Sequence, residues 1–321
     1  GFVTPWLSRT ERPVISSVNA TAGEVSANLS ILPLRDGGVA GADGRALLYA
    51  LSTGHVVIDV LGWFVPAPTA AAAGRFEAVD PFRLADTRPD AEVSGDFSRD
   101  GDVVTVPVLG RPGLPVDSDD IAAVVVVLTG VNRDGAERGF VTAHPSGEPT
   151  PLASNVNINL LPDARANLAI VPVGDGGAID VTLVGVSHLA VDVVGWFTGD
   201  GSATATDGRF HLVEPVRRVD TRLGVGAALL RPDVVQTIDA AVGPASASAL
   251  AANLTMVRPE GPAFVTAFPG GDVPTVSNVN ASAADQVRAA LGFVRTDDGR
   301  FDVVAGAAAT DLAIDVFGWF E

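Results

Sequence analysis

Apolar residues along the chain fall into short β-branched runs, each bounded by glycine, proline, asparagine or aspartate. The run IAAVVVVLTGV at 121–131 has no helical spacing and predicts a central strand. Another run, LAVDVVGWF at 189–197, recurs as VVIDVLGWF at 56–64 and as LAIDVFGWF at 312–320. Short strands separated by frequent turns predict an all-β fold of tandem β-sandwich domains of the jelly-roll-like kind.

The recurring run closes a domain-sized unit that occurs three times, at an interval of roughly 130 residues, which is far longer than a solenoid turn. The first unit contains only the later half, so about 64 residues, equivalent to 75–138, are missing from it. Connectors of small residues with proline and threonine predict poorly packed linkers. The predicted organisation is the C-terminal half of a unit at 1–64, a linker at 65–74, a complete unit at 75–197, a linker at 198–208 and a complete unit at 209–321.

The incomplete first unit predicts an unsatisfied surface. Half of a sandwich leaves strand edges unpaired and one apolar face open to solvent. We therefore expect 1–64 to be completed by upstream residues, by a neighbouring unit, or by self-association with a second chain. Alone, this segment is expected to associate or to be loosely ordered, whereas 75–320 folds well.

The composition argues against several classes of function. The net charge is −17 and all 21 basic residues are arginine, so the chain repels phosphate backbones and anionic headgroups. Nucleic acid and membrane surfaces are therefore not expected as partners. The chain has no cysteine, which excludes disulfides, thiolate metal sites and cysteine nucleophiles. No apolar stretch approaches the roughly 20 residues that span a bilayer.

Repeated aspartate and arginine residues are the most reactive-looking positions. An aspartate in an apolar strand needs a partner if it is buried. We predict a structural lock in which Asp192 pairs with Arg88 and ties the first strand of the unit to its last. In the last unit the equivalent pair is Asp315 with Arg222. The alternative is a binding or catalytic role. The set comprises Asp86, Arg88, Asp192, Asp220, Arg222 and Asp315, with Asp59 in the first unit.

Asparagine and tryptophan residues are the candidates for ligand binding. Paired asparagines are able to present a fork to sugar hydroxyls, although they more often satisfy backbone groups in turns. Tryptophan at a strand end either stacks on sugars or plugs the core, and we favour the second interpretation. The candidates are Asn155, Asn157, Trp196, Asn278, Asn280 and Trp319, with Asn19 and Trp63 in the matching places of the first unit.

Catalytic and metal-binding motifs are not found in the sequence. The four histidines are scattered, and no HExxH or GxSxG motif is present. The acidic turns lack the ligand spacing of an EF-hand, so calcium is expected only as a weak loop site. We therefore predict no catalytic residue, no cofactor and no metal centre.

An ordered set of motifs carries a resemblance to a known group of domains. The set consists of DTR, A-x-A-L-x-x-N-L-T, GFVTAHPSG, SNVN, ANL and VDVVGWF. With these motifs the chain resembles repeat domains of secreted and cell-surface proteins of actinobacteria, which often sit beside hydrolase or anchoring modules. The resemblance implies an extracellular accessory module. Many such domains carry a cysteine where this chain has Ser146 or Gly270, so a disulfide typical of them is absent here and packing must supply the stability.

These observations predict a non-enzymatic extracellular or cell-surface module for cell-wall association, adhesion or spacing. Its expected partner is a cell-wall or extracellular glycan, or another surface protein. Repetition favours this reading because linked weak sites gain avidity. One alternative is a carbohydrate-binding module appended to a secreted hydrolase. The other is a glycosidase, which would need two carboxyl groups about 5 to 10 Å apart in one cleft.

Overall fold

The computed structural model describes residues 1–7, 11–32, 46–66, 69–132, 138–159 and 162–321. The fold is all-β, and its strands form five antiparallel sheets. The first unit contains β1 (Phe2–Leu7), β2 (Val18–Asn19) and β3 (Ala46–Ala50). The middle unit contains β4 (Phe76–Asp86), β5 (Ser98–Asp100), β6 (Val103–Pro107), β7 (Ile121–Asn132), β8 (Gly139–Pro145), β9 (Val156–Ile158), β10 (Asp163–Pro172), β11 (Ala178–Val184) and β12 (His188–Thr198). The last unit contains β13 (Phe210–Asp220), β14 (Gln236–Asp239), β15 (Ala249–Val257), β16 (Ala263–Phe268), β17 (Val279–Ala281), β18 (Val287–Arg295), β19 (Arg300–Gly306) and β20 (Asp311–Phe320).

The two complete units share one topology. In the middle unit a sheet of order β10-β7-β12-β4 faces a sheet of order β5-β6-β11-β8-β9. The last unit repeats this with β18-β15-β20-β13 and β14-β19-β16-β17. Without the short edge strand β5, this is the eight-stranded order of a jelly roll, in which the first and last strands are neighbours. The predicted tandem β-sandwich fold is confirmed.

The predicted central strand is β7, which pairs with β10 on one side and β12 on the other. Its alternate residues point to opposite faces. Val124, Val126 and Leu128 enter the core of the sandwich. Val125 and Val127 lie on the other face, where they are also buried. The strand is a continuous apolar run because both of its faces are covered.

A third core lies between the units. The sheet that contains β7 and the sheet that contains β15 place apolar side chains into one shared cluster. The first unit adds Ile15 to this cluster and packs Leu29 and Ile31 against it. The units are therefore joined by a common hydrophobic core rather than strung along the chain as separate domains.

The three units surround an approximate threefold axis. The closing phenylalanines Phe64, Phe197 and Phe320 form a nearly equilateral triangle, with ring centroids 6.1, 6.4 and 6.4 Å apart. Asn167 accepts a hydrogen bond from the Leu29 amide at 3.4 Å. Its counterpart Asn28 accepts one from the Leu291 amide at 2.8 Å. Each contact passes from one unit to the next in the same direction, as rotation about an axis requires.

The first unit retains one sheet and lacks the other. Its order β2-β1-β3 matches β9-β8-β11 of the middle unit. The segments 25–32 and 56–64 occupy the places of β10 and β12, but neither belongs to a strand. In the middle unit the equivalent strand β12 pairs with β4 and β7, whereas no described strand of the first unit pairs with 56–64.

Backbone hydrogen bonds join the two linkers to each other. Ala71 and Ala205 form an antiparallel bridge with hydrogen bonds of 2.9 and 3.1 Å, which joins the two linkers. Arg75 is buried beside them and donates to the carbonyl oxygens of Ala71 and Ala203, both at 2.9 Å. Most of the described linker residues are nevertheless exposed.

Candidate functional site

The Asp–Arg cluster of each complete unit lies between its first and last strands. In the middle unit β12 pairs with β4, and a register shift places Asp192 opposite Arg83 rather than opposite residue 84. Arg83 donates to both Asp192 and Asp86, and Arg88 donates to Asp86. The predicted pairing of Asp192 with Arg88 is wrong. The bulge places Arg83 next to Asp192, and Arg88 instead contacts Asp86 of its own DTR motif.

The last unit repeats this arrangement with the equivalent residues. Arg217 donates to the two carboxylate oxygens of Asp315, each at 2.9 Å, and to Asp220 at 3.2 Å. Arg222 contacts Asp220 at 2.8 and 2.7 Å. The predicted pairing of Asp315 with Arg222 is wrong for the same reason. Arg83 and Arg217 were missed, although DPFR and EPVR align in the sequence and place an arginine three residues before each DTR aspartate.

Burial sets the electrostatics of these clusters. Asp192 is fully buried, and burial raises its pKa to about 6 despite the opposing charge of Arg83. Burial likewise raises the pKa of Asp315. Burial also acts to raise the pKa of Asp86, but the hydrogen bonds and charges of Arg88 and Arg83 outweigh it, so that this pKa is lowered. Each cluster thus contains one carboxyl group whose pKa is raised and one whose pKa is lowered.

The cluster of the middle unit also contacts the last unit. Arg83 donates to the carbonyl oxygen of Thr275 at 2.8 Å, and the Ser277 amide donates to Asp192. Its charged groups are therefore occupied by partners from two units of the same chain. These contacts connect the first and last strands of the middle unit to each other and to the last unit.

A second polar site lies where the three units meet. Asn19, Asn157 and Asn280, which are equivalent residues, line one pocket of about 20 Å³. Each carboxamide oxygen accepts a hydrogen bond from the serine three residues earlier, at 3.0, 3.2 and 3.1 Å. A pocket of this volume holds a water molecule or a single hydroxyl group. We call it the axial pocket.

Charged residues border the axial pocket. Arg165 and Arg288 line it from equivalent positions, whereas the first unit has Ser26 at the third position. Glu24 accepts from both arginines, at 3.3 and 3.0 Å, and Asp163 accepts from Arg165 at 2.8 Å. Two carboxylates therefore balance two guanidinium groups. Among the described residues, the Nε atom of Arg288 is buried without a hydrogen-bond partner.

The other sequence candidates do not reach this pocket. The side-chain oxygen of Asn155 accepts from the Ala143 amide at 2.8 Å, and that of Asn278 accepts from the Ala267 amide at 2.7 Å. Both asparagines thus satisfy backbone amides, which belong to the strands β8 and β16 rather than to turns. Of the four paired asparagines, only Asn157 and Asn280 line the axial pocket.

The tryptophans are placed at the sides of the sandwiches. Trp196 packs against the core of the middle unit and donates its indole N–H to the Gly113 carbonyl at 3.1 Å. Trp319 packs against the core of the last unit and stacks on His211, with ring centroids 4.0 Å apart. In contrast, Trp63 of the incomplete unit is 80% exposed.

The described part of the chain contains no group of three or more histidine, aspartate or glutamate side chains arranged to hold a metal ion. In the same residues, no helix has the length and apolarity to cross a membrane. The fold and the site thus define two jelly-roll sandwiches with a third, single-sheet unit packed against them. No protein-family model matches the chain, and no curated protein is significantly similar to it.

Proposed function

We propose that the chain is a non-enzymatic module of the cell surface or extracellular space, which associates with a cell wall, another surface protein or an extracellular glycan. The observation that carries this proposal is that the carboxyl groups of the Asp–Arg clusters are buried and paired with arginine. Asp86 and Asp192 share Arg83, and both carboxyl groups are buried. A glycosidase needs two carboxyl groups that substrate can reach, and these two are closed to it.

The shape of the molecule supports the same function. The two complete units present their surface features in repeated form, so weak contacts to a repetitive polymer or surface add up through avidity. The shared core holds the units at fixed relative positions. Such a body is suited to attaching neighbouring domains to a surface at a defined spacing.

Binding to isolated cell walls tests the proposal. The purified chain should sediment with insoluble walls of an actinobacterium and release no soluble sugar or peptide from them. A heat-denatured sample of the same chain serves as the control for non-specific adsorption. Release of reducing sugar in proportion to chain concentration would make the protein an enzyme and overturn the proposal.

Carbohydrate binding is a second candidate, favoured by the convergence of Asn19, Asn157 and Asn280 on the axial pocket. Carboxamides both donate to and accept from a hydroxyl group. The volume of about 20 Å³ limits such binding to one hydroxyl of a larger sugar. A glycan array would detect it, and Asn157→Ala should abolish the signal. Leu152→Ala, which changes an exposed side chain of the same unit, should leave the signal unchanged.

A further inference from the structure

The axial pocket is bordered by a buried guanidinium group whose charge is only partly compensated. Arg288 is 5% exposed, and it donates from Nη1 to the Val287 carbonyl oxygen at 3.2 Å and from Nη2 to Glu24 at 3.0 Å. Its Nε–H has no acceptor within the described part of the chain. A buried charged group is stable only where opposite charge and hydrogen bonds replace the lost water.

One difference between equivalent residues explains the missing acceptor. In the middle unit Arg165 donates from Nε to Asp163 at 2.8 Å. The residue equivalent to Asp163 in the last unit is Gln286, since each accepts a hydrogen bond at 2.9 Å from the amide of the residue four positions earlier. A neutral carboxamide therefore stands where a carboxylate is needed. Glu24 is shared by both arginines, so Arg288 has no carboxylate of its own among the described residues.

Three equivalent asparagines present hydrogen-bond donors to the same pocket. The carboxamide oxygens of Asn19, Asn157 and Asn280 accept from serine hydroxyls, as described above. Among the described residues, no acceptor is hydrogen-bonded to their Nδ2 atoms. Each Nδ2 group carries two N–H donors. The polar groups that remain available to a ligand on the axis are therefore donors.

The wall and the volume of the pocket restrict the ligand further. Arg165 and Arg288 belong to the described residues of the wall, whereas Glu24 and Asp163 do not. The apolar part of the wall consists of the equivalent valines Val18, Val156 and Val279. A charge among apolar groups interacts more strongly with its neighbours than it does in water. The volume of about 20 Å³ holds one atom-sized ligand, which excludes oxyanions such as phosphate.

We propose that the axial pocket binds a single halide ion, which is chloride wherever chloride is the halide present. An ion that only accepts hydrogen bonds satisfies the three carboxamide donors at once and places a counter-charge near Arg288. A water molecule at the same position would have to donate its own protons among groups that already donate.

The ion would stabilise the arrangement of the three units around the axis, because each unit supplies one of the asparagines. Burial and the charge of Arg165 lower the pKa of Arg288, and a nearby anion favours its charged form. The site is additional to the proposed surface association and does not depend on it. A bound halide would exclude a sugar hydroxyl from the same pocket.

Thermal unfolding measures this binding, because a ligand that binds only the folded state raises the midpoint of unfolding. Sodium chloride or sodium bromide replaces sodium gluconate, whose organic anion is too large for the pocket. The ionic strength is held constant so that the screening of surface charges does not change. We expect the midpoint of the natural chain to rise by about 2–4 °C when either halide replaces gluconate.

Two variants of the middle unit separate the pocket from general effects of salt. Asn157→Asp keeps the size of the side chain and the hydrogen bond from Ser154, but it replaces the Nδ2 donor by a carboxylate oxygen that repels an anion. The rise with halide should be lost. Asn155→Asp is the matched control, because it adds the same charge two residues away on a side chain that is also half-buried and lies outside the axial pocket. The rise should persist in this variant.

Asn280→Asp repeats the test from the last unit and replaces Asn157→Asp if that variant does not fold. Bromide then locates the ion, since anomalous diffraction from crystals grown in bromide should show one peak in the axial pocket of the natural chain. The proposal is overturned if this peak is absent, or if the halide-dependent rise is the same in the pocket variants as in Asn155→Asp. A peak without any halide-dependent rise would mark an adventitious ion only and would also overturn it. None of these results bears on the cell-wall binding experiment, which tests the proposed function separately.

Discussion

At the scale of single residues, one arginine serves two buried carboxyl groups in each complete unit. Arg83 contacts Asp86 and Asp192, both of which are buried. Arg88 donates to Asp86 and has a side chain that is 32% exposed. Removing one partner of a buried ion pair leaves an uncompensated buried charge. The resulting loss of stability is larger than the stabilisation that the intact pair provides. The two arginines should therefore differ in their effect on stability.

We expect Arg83→Ala to lower the free energy of unfolding by about 3–5 kcal/mol, because Asp192 would remain buried without a counter-charge. Arg88→Ala should cost about 1 kcal/mol, since Arg83 still compensates Asp86 and solvent reaches the Arg88 site. Urea titration of both variants measures the difference. Equal losses would show that the two arginines contribute to one undivided network.

The raised pKa of Asp192 predicts a dependence of stability on pH. In the folded protein this pKa is about 6, above the ordinary value of 3.8, so the folded state binds the proton more tightly than the unfolded state. The contribution is fully present below pH 3.8 and is lost as pH rises through 6. Its full size is about 3 kcal/mol at about 1.4 kcal/mol per pH unit. Carboxyl groups with a lowered pKa, such as Asp86, lose their contribution only at lower pH.

Urea titrations of the natural chain and of Asp192→Asn between pH 7 and pH 4.5 test this. The natural chain should gain about 2 kcal/mol of stability over this interval relative to the variant, because only the natural chain takes up the proton at this site. Asp315 remains in both chains and cancels in the comparison. Parallel pH profiles would show that the ion pair with Arg83 holds Asp192 charged throughout.

At the scale of elements, the closing strand needs its glycine because the first strand approaches it closely. A Cβ atom on Gly195 would lie 2.4 Å from ring atoms of Phe76 and 2.6 Å from the Glu77 carbonyl oxygen. Gly318 of the last unit meets Phe210 at the same 2.4 Å. Gly62 of the first unit has nothing within 4 Å. The same motif is therefore under steric constraint in two units and free of it in the third.

Gly195→Ala should lower the free energy of unfolding by about 1–3 kcal/mol, as overpacking does in a filled core. Gly62→Ala is the matched control and should change stability by less than about 0.5 kcal/mol. Thermal unfolding of both variants provides the measurement. A comparable loss in Gly62→Ala would mean that a strand already covers 56–64 in solution.

The sequence predicted the elements better than their contacts. The apolar run of β7 and the repeated closing motif predicted strands that the structure contains. The partner of Asp192 was not predictable in this way, because a bulge at residue 84 of β4 shifts the register by one residue and no local pattern encodes it. The axial arrangement of Asn157 and Asn280 was also missed, since contacts between units depend on how separate sheets pack and not on spacing along the chain.

At the scale of the whole molecule, the shared core makes the middle and last units depend on each other. Phe320 is fully buried and contacts Phe76 and Phe197 of the middle unit as well as Phe210 and Phe293 of its own. Each sheet that faces the axis therefore has apolar surface on both sides. Separating the units would expose this surface, so neither is expected to open without weakening the other.

Phe320→Ala should lower stability by about 3–5 kcal/mol and should do so in both complete units. Hydrogen exchange at the amides of β7, in the middle unit, is the measurement, because the substitution lies in the last unit and any effect on β7 must pass through the shared core. Leu223→Ala, which alters an exposed side chain of the last unit, is the control and should leave β7 unchanged. If exchange accelerates in β15 and β20 while β7 keeps its full protection, the two units unfold independently. In that case the shared core would hold the two units together without coupling their unfolding.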